Sequence, residues 1–526
     1  MDNIPKTAGA DHVVADQSEV AAFLATPATH GVGIHRVERI DTHGAMVFLA
    51  GRRAYKLKRA VCFSYMDFST LALRRAACER EVELNRRTAP DLYLGVMPVK
   101  RAGDGRLSLG GAGDVVEWLV EMKRFAQDGL GDRLAQKGRL TPELMRALAD
   151  EVATFHEAAE PLSGSAAAGG GGGGLRAVIE GNLSELAERP DLFPEDEVAA
   201  FAEASHRALG RVETLLDERM AQGLVRRCHG DLHLRNICVI DGLPTIFDAI
   251  EFNDAIACID VLYDLAFLLM DLDQRGLRPY ANLVLNRYLQ HRGDLPGLAA
   301  MPLFLSVRAA VRAKVSVSMA DSQRDALTTQ TLYDEAGVYF RTARTYLELA
   351  PPHLVAIGGP SGTGKTSLAR ALAPGIGAPP GALHLRSDVL RKTRLGVDEL
   401  TCLPPAAYTQ KESEQVYEEL VARARAGLAA GRSVIADAVY ATPDERAGIE
   451  AVAEELGVPF SGVWLEAPEE VMMSRLAARR DDASDATPEV VRRQLEADLG
   501  DVAWHRLDAF ASREEVVAAA ERLLSG

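Results

Sequence analysis

The sequence lacks the features of a secreted, membrane-spanning or disulfide-stabilised protein. Its six cysteines form no C-x-x-C pair, which argues against structural zinc and against a disulfide framework. Residues 1–17 have neither the basic segment nor the apolar core of a signal peptide. The longest apolar run, VLYDLAFLLMDL at 261–272, is short and carries acidic residues, so it predicts a buried helix rather than a membrane span. We expect a cytoplasmic protein without a membrane partner.

Basic tracts are also missing. The net charge is −16, and from His353 onward 27 acidic residues stand against 19 basic ones, so both halves of the chain are acidic. A nucleic-acid partner is therefore not favoured. Hydrophobic residues make up 47% and charged residues 25% of the 526 positions. This composition is typical of a globular protein, and its length exceeds what one hydrophobic core usually holds.

Two separate motifs for handling phosphate are present: CHGDLHLRN at 228–236 and GPSGTGKT at 359–366. The second fits the P-loop pattern G-x-x-x-x-G-K-[ST] and follows the apolar run HLVAIG, which predicts a strand. Its glycines allow the backbone to approach a phosphate, and the helix that follows offers unpaired N–H groups. We expect Thr366 to reach Mg²⁺. The predicted ATP-binding residues here are Gly359, Pro360, Ser361, Gly362, Thr363, Gly364, Lys365, Thr366 and Ser367.

The order of apolar segments predicts two domains, 1–350 and 351–526. In the first, VERIDT, AMVFLA and RAYKLK predict an antiparallel meander in a small lobe of about 30–122, and helical periodicity predicts a large lobe over 123–350. Six consecutive glycines within 163–175 predict a flexible surface insertion without helix or strand. After Pro351-Pro352, the strand-like runs HLVAIG, ALHLRS, SVIADA and FSGVWLE alternate with helical segments, which predicts a parallel sheet.

In the first motif, Asp231 and Asn236 are five residues apart, and Asp248 follows twelve residues later. Phosphoryl transfer needs a carboxylate that positions and deprotonates the attacking hydroxyl, together with oxygen ligands for Mg²⁺. An alternative interpretation is a metal hydrolase with His229, Asp231 and His233 as ligands, but no further His/Asp pair at ligand spacing lies nearby.

Residues 30–330 resemble the aminoglycoside phosphotransferase and choline kinase family, relatives of the protein kinases, whose loop reads H-G-D-x-x-x-x-N. The resemblance implies an α+β, protein-kinase-like, two-lobed domain. Within it, Asp231 would be the catalytic base, and Asn236 and Asp248 would bind Mg²⁺.

The same resemblance implies that Lys56 in RAYKLK contacts the ATP phosphates, with Lys58 as the competing candidate. The acidic partner of the lysine would be Glu81 or Glu79. No G-x-G-x-x-G precedes Lys56, so the turn at 42–44 would cover the phosphates. Away from these residues, His156 is interpreted as a packed helix histidine, and Asp260 and Asp264 as loop and helix support.

The second half offers its own set of polar residues. Asp388 directly follows the strand-like run ALHLRS and could activate a substrate hydroxyl, and Arg391, one helical turn further on, could bind an anionic group. Asp437 ends SVIADA and is a candidate for Mg²⁺-bound water or substrate. Arg475 and Arg479 share a helix face, which suits either a lid over ATP or an exposed helix with salt bridges.

Residues 353–526 look like the small P-loop kinases that include gluconate kinase, chloramphenicol phosphotransferase and polynucleotide kinase. The resemblance implies an α/β P-loop kinase domain. We therefore predict an ATP- and Mg²⁺-dependent phosphotransferase with two sites, each acting on a hydroxyl of a small molecule. The alternatives are a single active kinase with a nucleotide-binding regulatory half, or a nucleic-acid 5′-hydroxyl kinase. The sequence leaves the acceptors and the oligomeric state open.

Overall fold

The computed structural model of the protein describes residues 13–63, 65–167, 169–323, 325–478 and 482–525. The chain forms two compact units. The first contains residues up to Asp271 together with Leu303–Thr345, and the second contains Leu272–Pro302 together with the residues from Tyr346 onward. Within the described ranges, no helix is both long and apolar enough to cross a membrane.

The first unit begins with an antiparallel sheet. Its strands and the neighbouring hairpin are β1 (Val37–Asp41), β2 (Ala45–Ala50), β3 (Arg53–Lys58), β4 (Cys62–Phe63), β5 (Met66–Asp67), β6 (Tyr93–Arg101), β7 (Leu107–Leu109) and β8 (Asp114–Lys123). In the described part of the chain, six of them pair in the order β1-β2-β3-β8-β6-β7. The predicted meander is confirmed as β1, β2 and β3. Helices α1 (Ser18–Ala25) and α2 (Leu71–Asn85) belong to the same lobe. The Thr70 side chain caps α2 by accepting the Leu73 N–H.

The chain from 123 to 350 is mainly helical. Its helices are α3 (Gly131–Gln136), α4 (Pro142–Ala158), α5 (Gly171–Ala187), α6 (Glu195–Ala221), α7 (Asp254–Ala257), α8 (Val261–Gln274), α9 (Arg278–Arg292), α10 (Met301–Asp321) and α11 (Ala326–Thr345). Short strands β9 (Val225–Arg227), β10 (Ile237–Ile240), β11 (Leu243–Ile246) and β12 (Cys258–Asp260) pair as β10-β11 and β9-β12. The CHGDLHLRN loop connects β9 to β10, and the apolar run at 261–272 is the buried helix α8, as predicted.

The prediction of a flexible, unstructured glycine insertion is wrong. Helix α5 begins at Gly171, and both Gly171 and Gly172 are buried. A Cβ atom on Gly169 would lie 2.1 Å from the Ala255 carbonyl oxygen, and one on Gly172 would lie 2.4 Å from the Glu213 side chain. The glycines therefore allow close approach of neighbouring segments, and packing of α5 against α6 outweighs the poor helix propensity of glycine.

This packing leads to a stability prediction. Gly169→Ala should lower the free energy of unfolding by about 1–3 kcal/mol, because the added methyl group meets a carbonyl oxygen that cannot easily move. Gly173→Ala is the matched control, since its Cβ meets nothing within 4 Å, and it should leave stability unchanged or raise it by up to about 1 kcal/mol. Thermal unfolding of both variants tests the prediction. Equal melting temperatures would show that the tract is not packed.

The second unit contains the predicted parallel sheet. Its elements are β13 (Leu354–Gly358), α12 (Lys365–Leu372), β14 (Leu383–Arg386), α13 (Ser387–Arg394), α14 (Gln410–Ala429), β15 (Val434–Asp437), α15 (Pro443–Leu456), β16 (Phe460–Glu466), α16 (Glu469–Ala478), α17 (Pro488–Glu496), β17 (His505–Asp508) and α18 (Arg513–Ser525). Among the described residues, five strands pair in parallel in the order β14-β15-β13-β16-β17. Buried side chains such as Val355, Ile435 and Val463 form its core.

Helix α9 also belongs to this second unit. Strand β14 lies at the edge of the sheet, where its backbone groups need partners. The Asn282 side chain donates to the Ala382 carbonyl at 2.9 Å, and Asn286 accepts the His384 N–H at 2.8 Å. Two asparagine side chains thus take the place of a neighbouring strand.

Candidate active sites

The first candidate site is built around Lys56 on β3. Its Nζ lies 2.9 Å from Glu81 Oε1 on α2 and 2.5 Å from Asp248 Oδ1 beyond β11. Glu81 is fully buried. Burial alone would raise its pKa, but the charges of Lys56 and Lys58 hold the pKa of Glu81 below its ordinary value. Three residues that are distant in sequence therefore form one ion cluster.

The structure also places the two alternative candidates. Glu79 is exposed and pairs with Arg75 at 2.9 Å along the surface of α2, so Glu81 is the acidic residue of the cluster. Lys58 binds the second oxygen of Glu81 and also Glu251. Lys56, in contrast, contacts Asp248 in addition to Glu81.

Asp231 lies in the loop between β9 and β10. Its Oδ2 accepts a hydrogen bond of 2.9 Å from the Asn236 amide and lies 3.3 Å from His233 Nε2. Although burial works to raise it, the interaction with His233 holds the pKa of Asp231 below its ordinary value. Asp231 Oδ1 has no hydrogen-bond partner among the described residues, so it is the oxygen that an acceptor hydroxyl could approach.

His229 connects this loop to the segment that carries Asp248. Its Nδ1 accepts the Asp231 N–H at 3.2 Å, and its Nε2 donates to the Phe247 carbonyl at 2.9 Å. Both ring nitrogens are thus engaged in holding the backbone, and a role as metal ligand is not supported. Asp248 itself has a φ of 66°, a left-handed conformation that is uncommon for residues other than glycine and is often found at functional sites.

Buried polar residues hold the loop from behind. Asp264 accepts the N–H groups of His229 and Gly230 at 3.0 and 2.9 Å, and it lies 3.1 Å from His156 Nε2. Asp260 pairs with Arg219 at 2.7 Å. Asp260 and Asp264 therefore lie where loop and helix support was predicted, and His156 is buried in α4. The ligand atoms of His156, Cys228 and Asp264 lie within 4.8 Å of one another, but those of the histidine and aspartate already serve this network.

The second candidate site is the P-loop between β13 and α12. Gly359, Gly362 and Gly364 have φ values of 130°, 88° and 96°. A Cβ atom on Gly359 would lie 2.4 Å from the Leu465 carbonyl oxygen, so only glycine fits there. Lys365 Nζ donates to the carbonyls of Gly359 and Pro360 at 2.8 and 3.0 Å. The loop faces a cavity of about 440 Å³.

Thr366 and Asp437 meet at the end of the sheet. The Thr366 hydroxyl donates to Asp437 Oδ2 at 2.6 Å, and His384 Nε2 lies 3.3 Å from the same oxygen. Burial would raise the pKa of Asp437, but its interactions with His384 and nearby cations lower it to about 2. Asp437 is thus an ionised group beside the predicted Mg²⁺ ligand Thr366.

Asp388 is the second residue of α13 and lines the same cavity as Lys365, Arg386 and Ser484. Burial raises the pKa of Asp388, as is common for general bases. Arg391 donates to the Ala407 carbonyl at 2.8 Å, and its guanidinium lies 4.7 Å above the Tyr408 ring. It does not line the cavity and has no carboxylate partner within the described ranges.

Of the two arginines predicted to form a lid, only Arg475 lies within the described residues. Arg475 donates to the Thr363 carbonyl at 3.1 Å and to the Ala509 carbonyl at 2.7 Å, so it joins the P-loop to the segment after β17. Arg479 lies outside the described residues. Sequence reasoning missed several residues that line the cavity, namely Arg386, Asp482, Ser484, Arg513, Val516 and Val517. Arg386 could have been found because it ends the strand that leads to Asp388, but the others carry no motif.

Two parts of the chain match known protein families. Residues 57–303 match the family described as "Phosphotransferase enzyme family", and residues 354–497 match the family described as "AAA domain". The protein Rv2004c of Mycobacterium tuberculosis (strain ATCC 25618 / H37Rv), described as uncharacterized, is 31% identical over 490 residues, which cover 91% of this chain and 94% of that protein. The chain belongs to the same family as this mycobacterial protein. It joins an aminoglycoside phosphotransferase-like part to a P-loop kinase part, and the predicted resemblance is confirmed.

Two further similarities concern single parts of the chain. The adenylyl-sulfate kinase of Myxococcus xanthus (strain DK1622) is 30% identical over 118 residues, covering 22% of this chain and 59% of that protein. A choline/ethanolamine kinase family protein from Mesorhizobium loti is 14% identical, covers 63% of this chain and 94% of its own, and has a TM-score of 0.38. From the match of residues 57–303 to the phosphotransferase enzyme family, the protein is a phosphotransferase.

Proposed function

We propose that the protein has two ATP- and Mg²⁺-dependent active sites, each of which transfers a γ-phosphoryl group to a hydroxyl of a small molecule. The observation that supports the proposal is that each unit brings together a lysine, carboxylates and further oxygen-bearing side chains. Each set has a lysine for phosphate, a carboxylate for the acceptor hydroxyl and oxygen ligands for a metal ion.

At the first site, Asp231 would orient the acceptor hydroxyl through Oδ1 and take its proton. Lys56 would bind the ATP phosphates. Asn236 donates its amide N–H to Asp231, which leaves its amide oxygen for a metal ion, and the Asp248 carboxylate is the second oxygen donor. These oxygens fit Mg²⁺, which when bound would offset the negative charge of the phosphates.

At the second site, the glycine-rich backbone and Lys365 would bind the phosphates, and Asp388 would take the proton of the acceptor hydroxyl. The Thr366 hydroxyl and the ionised Asp437 fit a Mg²⁺ ion and its water ligands. Arg391 does not line this cavity, because the segment with Ala407 and Tyr408 covers its guanidinium, so the anion-binding role predicted for it is not part of the proposal.

The acidic charge of both halves supports small-molecule acceptors rather than nucleic acid. All six cysteines lie within the described ranges, and no disulfide joins them there, which suits a reducing cytosol.

The proposal is tested by measuring ATP consumption by the full chain, first alone and then with a panel of hydroxyl metabolites. Activity towards an acceptor of the first site should disappear in Asp231→Asn and persist in Asp388→Asn, and the reverse should hold for the second site. Loss of every activity with one variant only would instead identify a single kinase with a regulatory partner.

The two bases should respond differently to pH. A general base acts when deprotonated, so a raised pKa moves the loss of activity to higher pH and a lowered pKa moves it to lower pH. Because the pKa of Asp388 is raised and that of Asp231 is lowered, acidification should reduce transfer at the second site first, by about tenfold per pH unit. Rates for each acceptor between pH 8 and pH 5 provide the test, and loss of first-site activity at the higher pH would contradict it.

A further inference from the structure

A second ion pair lies beside Lys56 in the first unit. The Lys58 ammonium binds both Glu81 and Glu251. The side chains of Lys58, Glu81 and Glu251 are 3%, 0% and 4% exposed, so these charges are almost completely removed from water. Buried charges of this kind persist only when they are paired.

The pair connects two segments that the proposed chemistry uses. Lys58 lies two residues after Lys56 on β3, so both side chains project from the same face of the strand. Glu251 lies three residues after Asp248. Glu81 takes Lys56 on Oε1 and Lys58 on Oε2. The result is a continuous chain of ion pairs, Asp248–Lys56–Glu81–Lys58–Glu251.

The charges in this series of ion pairs determine which carboxylate is left for a metal ion. Two lysines face three carboxylates, so the cluster has one negative charge in excess. Glu81 and Glu251 are buried, whereas the Asp248 side chain is 39% exposed. The excess charge therefore lies at Asp248, the end of this series of ion pairs that a cation from solvent can reach. Without Lys58, Lys56 alone would face three carboxylates, two of them buried.

Backbone contacts support the same segment. The Asp248 N–H donates to the Tyr93 hydroxyl at 3.1 Å, and the Ala249 N–H donates to Asn85 Oδ1 at 2.8 Å. Glu251 is the charged anchor at the far end of this segment. Its attachment to β3 links the position of the Asp248 carboxylate to the strand that carries Lys56.

We propose that Lys58 and Glu251 are a positioning pair for the first site, which neutralises the buried carboxylates so that Asp248 is left for Mg²⁺ and Lys56 for the nucleotide phosphates. This inference rests on the proposed function of the first site. It assigns Lys58 a role distinct from that of Lys56, since Lys58 acts through Glu81 and Glu251 and does not touch the nucleotide.

The test uses the full chain with Lys365→Ala, which silences the second site. Calorimetry measures the affinity for a non-hydrolysable ATP analogue with Mg²⁺ and with EDTA, and the ratio of the two affinities is the readout. Glu251→Gln preserves the shape of the side chain and removes its charge. Lys58→Met/Glu251→Leu removes both charges together, which avoids a buried unpaired ion. Both variants should reduce the ratio of the two affinities at least tenfold, while affinity in EDTA changes less than threefold. Glu251→Gln removes the excess negative charge, and the double variant keeps the net charge but no longer holds the segment from Asp248 to Glu251 on β3.

The matched control is another buried ion pair of the same lobe, Arg74 with Glu117, whose side chains are 6% and 3% exposed. Arg74→Met/Glu117→Leu should change the melting temperature and keep the Mg²⁺-dependent gain. Lys58→Arg should keep much of the Mg²⁺-dependent gain in affinity, because it retains the positive charge.

Three outcomes would overturn the inference. The first is a Mg²⁺-dependent gain in folded Glu251→Gln that stays within threefold of the parent. The second is an equal loss in the Arg74/Glu117 control, which would show a general effect of packing. The third is a parent that binds no nucleotide at the first site, which would overturn the proposed function itself and with it the role of the pair.

Discussion

Replacing Asp231 with asparagine should reduce phosphoryl transfer at the first site by about 10²–10⁴-fold, because the acceptor hydroxyl loses the carboxylate that orients it and takes its proton. The fold should be retained, since asparagine keeps the shape of the side chain and can still accept hydrogen bonds from Asn236 and His233. Asp248→Asn should likewise remove transfer by removing the charge that would face Mg²⁺. Initial rates with an identified first-site acceptor provide the measurement.

A nearby aspartate offers a control for Asp231→Asn. Asp241 is exposed in the turn between β10 and β11 and has a φ of 52°, a conformation that asparagine also adopts readily. Asp241→Asn makes the same chemical change ten residues away and should leave the rate unchanged. If Asp231→Asn phosphorylated the acceptor at the parent rate, its assignment as the base would be wrong.

At the second site, Lys365→Ala should remove measurable nucleotide binding or turnover, because the backbone loop alone does not neutralise the terminal phosphates. The loss should be larger than that of a phosphate contact alone, since Lys365 Nζ also binds two carbonyls of its own loop. Asp388→Asn should behave differently, keeping nucleotide binding and losing transfer by about 10²–10⁴-fold.

Calorimetry with a non-hydrolysable ATP analogue distinguishes these variants. The parent should bind two nucleotides, Lys365→Ala one, and Asp388→Asn two. Lys411→Ala is the control for loss of a lysine, because Lys411 is exposed on α14 and should leave both sites intact. A parent that binds one nucleotide would contradict the presence of two active sites.

Helix and strand geometry shows which of the alternative charged residues of the first site meet. Glu79 and Glu81 are both acidic residues of α2, but two residues along a helix point about 200° apart, so only one can face β3. Lys56 and Lys58 share a face of their strand, and sequence could not separate them. Their different partners depend on the segment from Asp248 to Glu251, which approaches from a distant part of the chain.

Other differences arose from packing that has no local signal. The glycine tract looks like a linker because glycine disfavours helices, yet close contacts from α6, β9 and α7 require glycine there. Arg391 has the predicted helical spacing from Asp388, but the segment that contains Ala407 and Tyr408 covers its guanidinium. The residues of α18 that line the cavity belong to an ordinary amphipathic helix.

Local patterns were enough to predict the class of chemistry and the sheet types, because the P-loop, the catalytic loop and the strand periodicity depend on residues that are close along the chain. Which charged groups meet became visible only in the folded chain. The tertiary structure selected Glu81 over Glu79, separated the partners of Lys56 from those of Lys58, and made the glycines part of the core. The physical reason is that burial and ion pairing depend on distances between segments far apart in sequence, and local spacing contains no information about those distances.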